Sequence, residues 1–312
     1  MRQICRPMQY AIAVAATAAL ATAQQAADST RKPSAAVLAK RKAVAERLQK
    51  SHPAKVRTPS TKGNDSSDPG PAPAGWTCAG ACGTDTADGS VTLSPAGSAS
   101  YEFVTTSGGA TSVGALPSGA LGGETDGSTL STPTFAVTAG TVLSFYFNYV
   151  TSDGAGFSDY AWAELYSSTS APVALLFTAR TETSGSIVPG TGLPAPAATL
   201  TPASVPIISG APTWAPLGTY SGACYDVGCG YTGWVRSNYT IAAAGNYYLK
   251  VGVVNWTDDL YDSGLALDGV TVGGVTVGAP PATTPAPPAL LLALFGLAAV
   301  LLFALARRQA RA

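Results

Sequence analysis

Acidic side chains gather in two stretches of the chain. Asp153 and Asp159 flank a glycine-containing segment, and Asp258, Asp259, Asp262 and Asp268 crowd a second, with Asn255 nearby. Hard carboxylate oxygens carried on loops are what Ca²⁺ requires. If the two loops meet at one rim of a β-structure, Asp153, Asp159, Asp258 and Asp262 form a candidate Ca²⁺ site. The competing reading is conformational, since Asp favours turns by bonding its own backbone.

The cysteines carry the second chemistry. Cys5 lies near the start, leaving Cys78, Cys82, Cys224 and Cys229. Four cysteines allow three connectivities. Each close pair sits in its own glycine-containing segment, which favours Cys78–Cys82 and Cys224–Cys229. A four-cysteine zinc site is the alternative, and an oxidising compartment argues against it.

Binding and catalysis have weaker markers. Trp214, Tyr220, Tyr225, Tyr231 and Trp256 stand beside Gly, Asp or other turn residues, where flat rings could stack on sugars. The other reading places them in a core. Glu102, Glu124, Glu164 and Glu182 are available for glycoside hydrolysis, but no spacing singles out a pair. His52 is the one histidine and lies in a polar basic segment, so histidine-based triads and zinc sites are not expected in the folded part. No phosphate-cradling glycine loop is present. The expectation is a protein that is not an enzyme.

The positioning elements are strands. Val142 to Val150 alternates, with Leu143, Phe145, Phe147 and Tyr149 on one face and Ser144, Tyr146 and Asn148 on the other. Tyr247 to Trp256 repeats the pattern with Tyr247, Leu249, Val251 and Val253. Further strands are expected over Ser100–Thr105, Thr129–Val137, Ala161–Ser167, Ala174–Thr181, Gly233–Ile241 and Leu265–Val272. With 34 Gly and 23 Pro in 312 residues, helical bundles and coiled coils are disfavoured. The expected fold is all-β, a jelly-roll-like β-sandwich over residues 76–277. Residues 184–216 are proline-rich and read as an edge loop anchored by Trp214.

Charge divides the chain further. Formal charge is zero overall, yet the sandwich segment sets only Arg180, Arg236 and Lys250 against many acids. An acidic domain repels phosphates, so no nucleic-acid partner is expected. Residues 24–75 are basic and read as a largely disordered tether. Within it, Ser34 to Lys50 suits a short helix capped by Ser34, with Val37, Leu38, Val44 and Leu48 near one face and Lys40, Arg41, Arg47 and Lys50 around the rest. The expectation is a solvated helix; a basic patch for anionic lipid or polysaccharide is the functional alternative.

The ends read as targeting segments. Residues 1–23 have the plan of a signal peptide, with Arg2 and Arg6, an apolar run, and Ala21 and Ala23 ahead of cleavage. Residues 278–288 form a proline-rich spacer. Residues 289–306 are uncharged and apolar, and at about 1.5 Å per residue they span about 27 Å, enough for one transmembrane helix. Arg307, Arg308 and Arg311 follow in the terminal 307–312 segment, which the positive-inside rule keeps cytoplasmic.

This proline motif, short apolar helix and arginine cluster resemble the PEP-CTERM sorting signal, which exosortases of Gram-negative bacteria recognise. Pro285-Ala286-Pro287 stands where the signature has Pro-Glu-Pro, and a plain C-terminal anchor is the alternative. The phrases Gly127-Ser128-Thr129-Leu130, Phe147 to Gly154 and Tyr261 to Val270 resemble sandwich ectodomains of such exported proteins. The resemblance implies an inner-membrane-anchored precursor, then a cell-surface or extracellular matrix protein, with an exosortase-like enzyme and extracellular polysaccharide as partners. A Ca²⁺-dependent carbohydrate-binding module is the alternative function, and a glycan-active enzyme a lesser one.

Overall fold

The computed structural model describes residues 33–51 and 70–278. The expected signal peptide with Ala21 and Ala23, the apolar segment 289–306, and Pro285, Ala286, Pro287, Arg307, Arg308 and Arg311 lie outside the described residues. Among the described residues, no helix is long and apolar enough to cross a membrane.

Among the described residues, one α-helix, α1 (Ala35–Ser51), precedes eleven principal strands. They are β1 (Thr77–Ala79), β2 (Ala81–Asp85), β3 (Tyr101–Thr105), β4 (Glu124–Ser131), β5 (Val142–Thr151), β6 (Tyr160–Ser167), β7 (Pro172–Arg180), β8 (Thr199–Thr201), β9 (Val235–Thr240), β10 (Gly245–Trp256) and β11 (Ser263–Val272). Two large antiparallel sheets result. One runs β1-β4-β10-β6-β7, and the other runs β8-β9-β5-β11-β3-β2, with short strands added to both.

The alternation in the sequence explains the packing. Leu143, Phe145, Phe147 and Tyr149 of β5 are fully buried in the main core. Leu249, Val251 and Val253 of β10 enter the same core from the other sheet. Phe147 stacks on Phe177 of β7 with ring centroids 3.8 Å apart, so aromatic contact bridges the two sheets. The fold is therefore the expected all-β sandwich.

One detail differs from the sequence expectation, and one agrees with it. The segment 129–137 is not one strand: β4 ends at Ser131, and Phe135–Val137 pairs separately with β10. Pro133 lies in the interruption, where a residue without an N–H cannot extend a ladder. The proline-rich excursion does pack at an edge. Trp214 is buried, donates from Nε1 to the Tyr101 hydroxyl at 2.9 Å, and meets Phe103 edge-on.

Both expected disulfides form, Cys78–Cys82 and Cys224–Cys229. The first straddles a corner, because β1 belongs to one sheet and β2 to the other. Gly80 makes that turn with φ +88°, and a Cβ there would lie 2.6 Å from the Gly127 carbonyl oxygen. Glycine is thus required both by conformation and by space.

Candidate functional site

Register brings the acidic loops together. Thr151 at the end of β5 pairs with Ser263 at the start of β11. In the other sheet, Val254 near the end of β10 pairs with Tyr160 at the start of β6. The loops 152–159 and 257–262 therefore leave the two sheets at the same rim. Thr257 and Tyr261 hold φ values of +83° and +61°. Such conformations cost about 1–3 kcal/mol each in non-glycine residues and persist where packing over-determines them.

The group at the centre of this rim comes from outside the sandwich sequence. Arg41 of α1 is 0% exposed. Its guanidinium forks onto both carboxylate oxygens of Asp153 and donates to the Leu260 carbonyl. Nη2 also donates to Asp258 Oδ1 at 2.9 Å. Nε lies 2.7 Å from Asp258 Oδ2, an ion-pair contact whose angle is not that of a hydrogen bond.

Aromatic rings complete the enclosure. The guanidinium carbon lies 3.7 Å from the Phe157 ring centroid, 4.5 Å from that of Tyr225 and 4.9 Å from that of Tyr261. Tyr261 in turn stacks on Tyr220 at 4.7 Å. A planar cation that is weakly hydrated suits this mixture of carboxylate forks and ring faces. Burial works against the charge on Arg41, but Asp153, Asp258 and Asp159 outweigh it and hold the guanidinium above its ordinary range.

This arrangement corrects two expectations. The helix is not merely solvated, because Leu38, Arg41, Val44, Ala45 and Leu48 form its half-buried or buried stripe. Arg41 falls on the apolar stripe at helical spacing, and that spacing was the available signal. The cation facing Asp153 and Asp258 is this arginine, at the place where a Ca²⁺ site was one candidate and turn-forming aspartates the other. Among the described residues, no three carboxylate, histidine or cysteine side chains gather as a metal-holding group.

The other two expected ligands have different partners. Asp159 accepts from the Trp256 amide at 2.9 Å and the Ser263 hydroxyl at 2.7 Å. Burial, reinforced by the charge of Asp153, raises its carboxyl well above the ordinary range. Asp262 accepts from the Thr106 hydroxyl at 3.0 Å, and burial pushes its carboxyl up to about 7.

The second disulfide belongs to the same site. Tyr225 lies inside the Cys224–Cys229 loop, and its amide donates to the Ser152 carbonyl at 2.9 Å. Ala155 likewise donates to the Val227 carbonyl at 2.9 Å, so this short loop is laced to the Asp153 loop. The bridge thus positions an aromatic wall of the arginine cage.

The glutamates do not converge. Glu164 is buried and accepts from Tyr166, while Glu124 accepts from the Tyr160 hydroxyl at 2.7 Å. Glu102 lines a groove of about 340 Å³ with Trp76, Tyr146, Arg236 and Asp268. Burial, with a smaller contribution from Asp268, pushes the Glu102 carboxyl up to about 7.

No protein-family model and no curated protein matches the chain. Among solved structures, the K1 cleaved adhesin domain of Lys-gingipain from Porphyromonas gingivalis W83 aligns at 11% identity and a TM-score of 0.27, over 67% of this chain and 97% of that one. A likeness of that size carries no argument about fold or function.

Proposed function

We propose that this chain is an exported cell-surface or extracellular protein that acts by binding rather than catalysis. It carries a jelly-roll-like sandwich as its working part. In this reading residues 1–23 direct export, and the PEP-CTERM-like tail around Pro285-Ala286-Pro287 hands the precursor to an exosortase-like enzyme. The observation that supports it is the pair of closed disulfides on short loops of an otherwise small-residue, glycine-rich sandwich. Such bridges persist in oxidising compartments. Mass spectrometry of the surface and secreted fractions of a Gram-negative producer tests the proposal. A mature chain starting at Gln24 and ending near Pro287 supports sorting. A cytosolic chain with free thiols overturns export, and an intact C-terminus at Ala312 replaces sorting by a plain anchor.

A second reading, carbohydrate binding, rests on the groove that joins Trp76 and Tyr146 to Glu102, Arg236 and Asp268. Ring faces and charged hydrogen-bonding groups in one concave site suit sugar rings and their hydroxyls. Titration with soluble polysaccharides checks it. Binding that Tyr146→Ala abolishes favours this reading, and no heat with any polysaccharide counts against it.

A further inference from the structure

The rim cage has the properties of a binding site rather than of a structural core. It encloses a whole guanidinium between two carboxylates and three rings, and that group arrives on a separate helix. Beyond the guanidinium, the helix adds Ala45 and Leu48, which pack with Tyr220 and Tyr261. Arg41 and Ala45 are its buried residues, while Lys40, Lys42, Glu46 and Arg47 are exposed. Beside the cage opens a second groove lined by Glu124, Asp126, Asp258 and Asp259. Its acidity matches the basic helix. Residues 52–69 join the helix to the sandwich, a length that reaches about 60 Å when extended.

We propose that this cage is a receptor for an arginine presented on a basic helix, and that the helix of a second copy of this chain fills it in place of the chain's own. Every copy carries both the arginine and the cage, so the exchanged contact is identical to the one within a chain. Identical elements exchanged between protomers are a low-cost route to dimers, and head-to-tail exchange that does not close gives chains of copies. Tethering favours the helix of the same chain at low concentration, because a short linker supplies an effective concentration in the millimolar range. Crowding on a surface brings neighbouring helices to comparable concentrations. Exchange is then expected where copies are dense and not in dilute solution.

The test uses a labelled peptide of residues 34–51 and the full chain. The Arg41→Ala chain has an intact cage and no arginine of its own. It is expected to bind the Arg41 peptide at least tenfold more tightly than a peptide carrying alanine at that position, and the wild-type chain is expected to bind the Arg41 peptide at least tenfold more weakly than the variant does. Equal binding of the two peptides, or none, by the folded variant overturns the receptor. Arg41→Lys, which keeps a charge but loses the fork, serves as the second recipient if the alanine variant does not fold, with the same outcomes. The second-copy claim is read by sedimentation of Arg41→Ala mixed with Asp258→Asn, one supplying the cage and the other the arginine. A heterodimer absent from either variant alone supports exchange between copies. Peptide binding without that heterodimer overturns exchange and leaves the receptor standing.

Discussion

Arg41 and Asp153 stand 112 residues apart in sequence and meet as a fully buried fork, with both guanidinium Nη atoms on both carboxylate oxygens. Removing one partner of such a pair leaves a buried charge uncompensated, which costs about 3–5 kcal/mol. The Asp153 carboxylate keeps another donor, the Gly154 amide, which places the Arg41→Ala cost near the lower end, about 3 kcal/mol. For a domain of this size that lowers Tm by roughly 6–12 °C. Arg41→Lys recovers part of the loss, because lysine supplies charge without the planar fork. Thermal melts of the three chains check the order.

Calcium should not stabilise the wild-type protein. The rim already holds a cation between Asp153 and Asp258, and a ligand that binds the native state at 100 times its Kd adds about 2.7 kcal/mol. The expected outcome is a Tm unchanged by millimolar Ca²⁺ or by a chelator. A rise of several degrees with Ca²⁺ would show that a divalent ion competes with Arg41.

The Cys224–Cys229 bridge should control how firmly α1 docks. It closes a loop of sequence separation 5, worth about 2 kcal/mol on the loop-entropy account, and it holds Tyr225 against the guanidinium. Replacing both cysteines by serine is expected to speed tryptic cleavage at Lys40, Lys42 and Arg47 well before the sandwich itself unfolds. Replacing Cys78 and Cys82 instead acts on the corner at Gly80 and should leave those cleavages at the wild-type rate. Timed proteolysis with mass readout separates the two.

The buried acids of the rim give the stability a direction with pH. Burial pushes Asp262 up to about 7, above the ordinary carboxylate range near 4. The folded state then holds more protons than the unfolded chain across that window. Its contribution is fully present below the unfolded pKa and is lost as pH rises through about 7. Tm is therefore expected to fall between pH 5 and pH 8, and Asp262→Asn should flatten that fall. A Tm that climbs over this range, with the variant parallel to wild type, refutes the assignment.

The fold was legible because period-2 patterns such as Leu143-Phe145-Phe147-Tyr149 leave no other face to bury. The disulfides were legible because each pair is close in sequence. The rim was half legible: the two acidic loops do meet, but what fills the space between them is encoded far upstream. Arg41 sits among lysines on a helix whose composition says solvent. Its burial follows from a three-dimensional match of one side chain to Asp153, Asp258 and three rings that lie in separate loops. No one-dimensional pattern brings those loops to one place; the registers Thr151 to Ser263 and Val254 to Tyr160 do. The break at Pro133 shows the reverse case: the strand expected over Thr129–Val137 followed the apolar pattern and passed over the one residue type that interrupts it.

Gly252 tests the packing of the sheet against its outer aromatic layer. It pairs with Trp162 across β10 and β6, and a Cβ added there would lie 2.6 Å from the indole Cε2 and Cζ2 atoms. The indole cannot simply swing aside, because it is fully buried and its Nε1 donates to the Gly114 carbonyl at 2.7 Å. Gly252→Ala therefore overpacks a rigid site, at an expected cost of about 1–3 kcal/mol. That corresponds to a fall in Tm of roughly 2–12 °C. Trp162→Phe alone removes the hydrogen bond and leaves the Gly114 carbonyl unpaired, a separate cost of about 1–3 kcal/mol. Because a smaller ring makes room for the new methyl, the double variant should lose less than the sum of the two single losses. Melting curves of the four chains close the cycle, and strictly additive losses would show that the methyl and the indole do not meet.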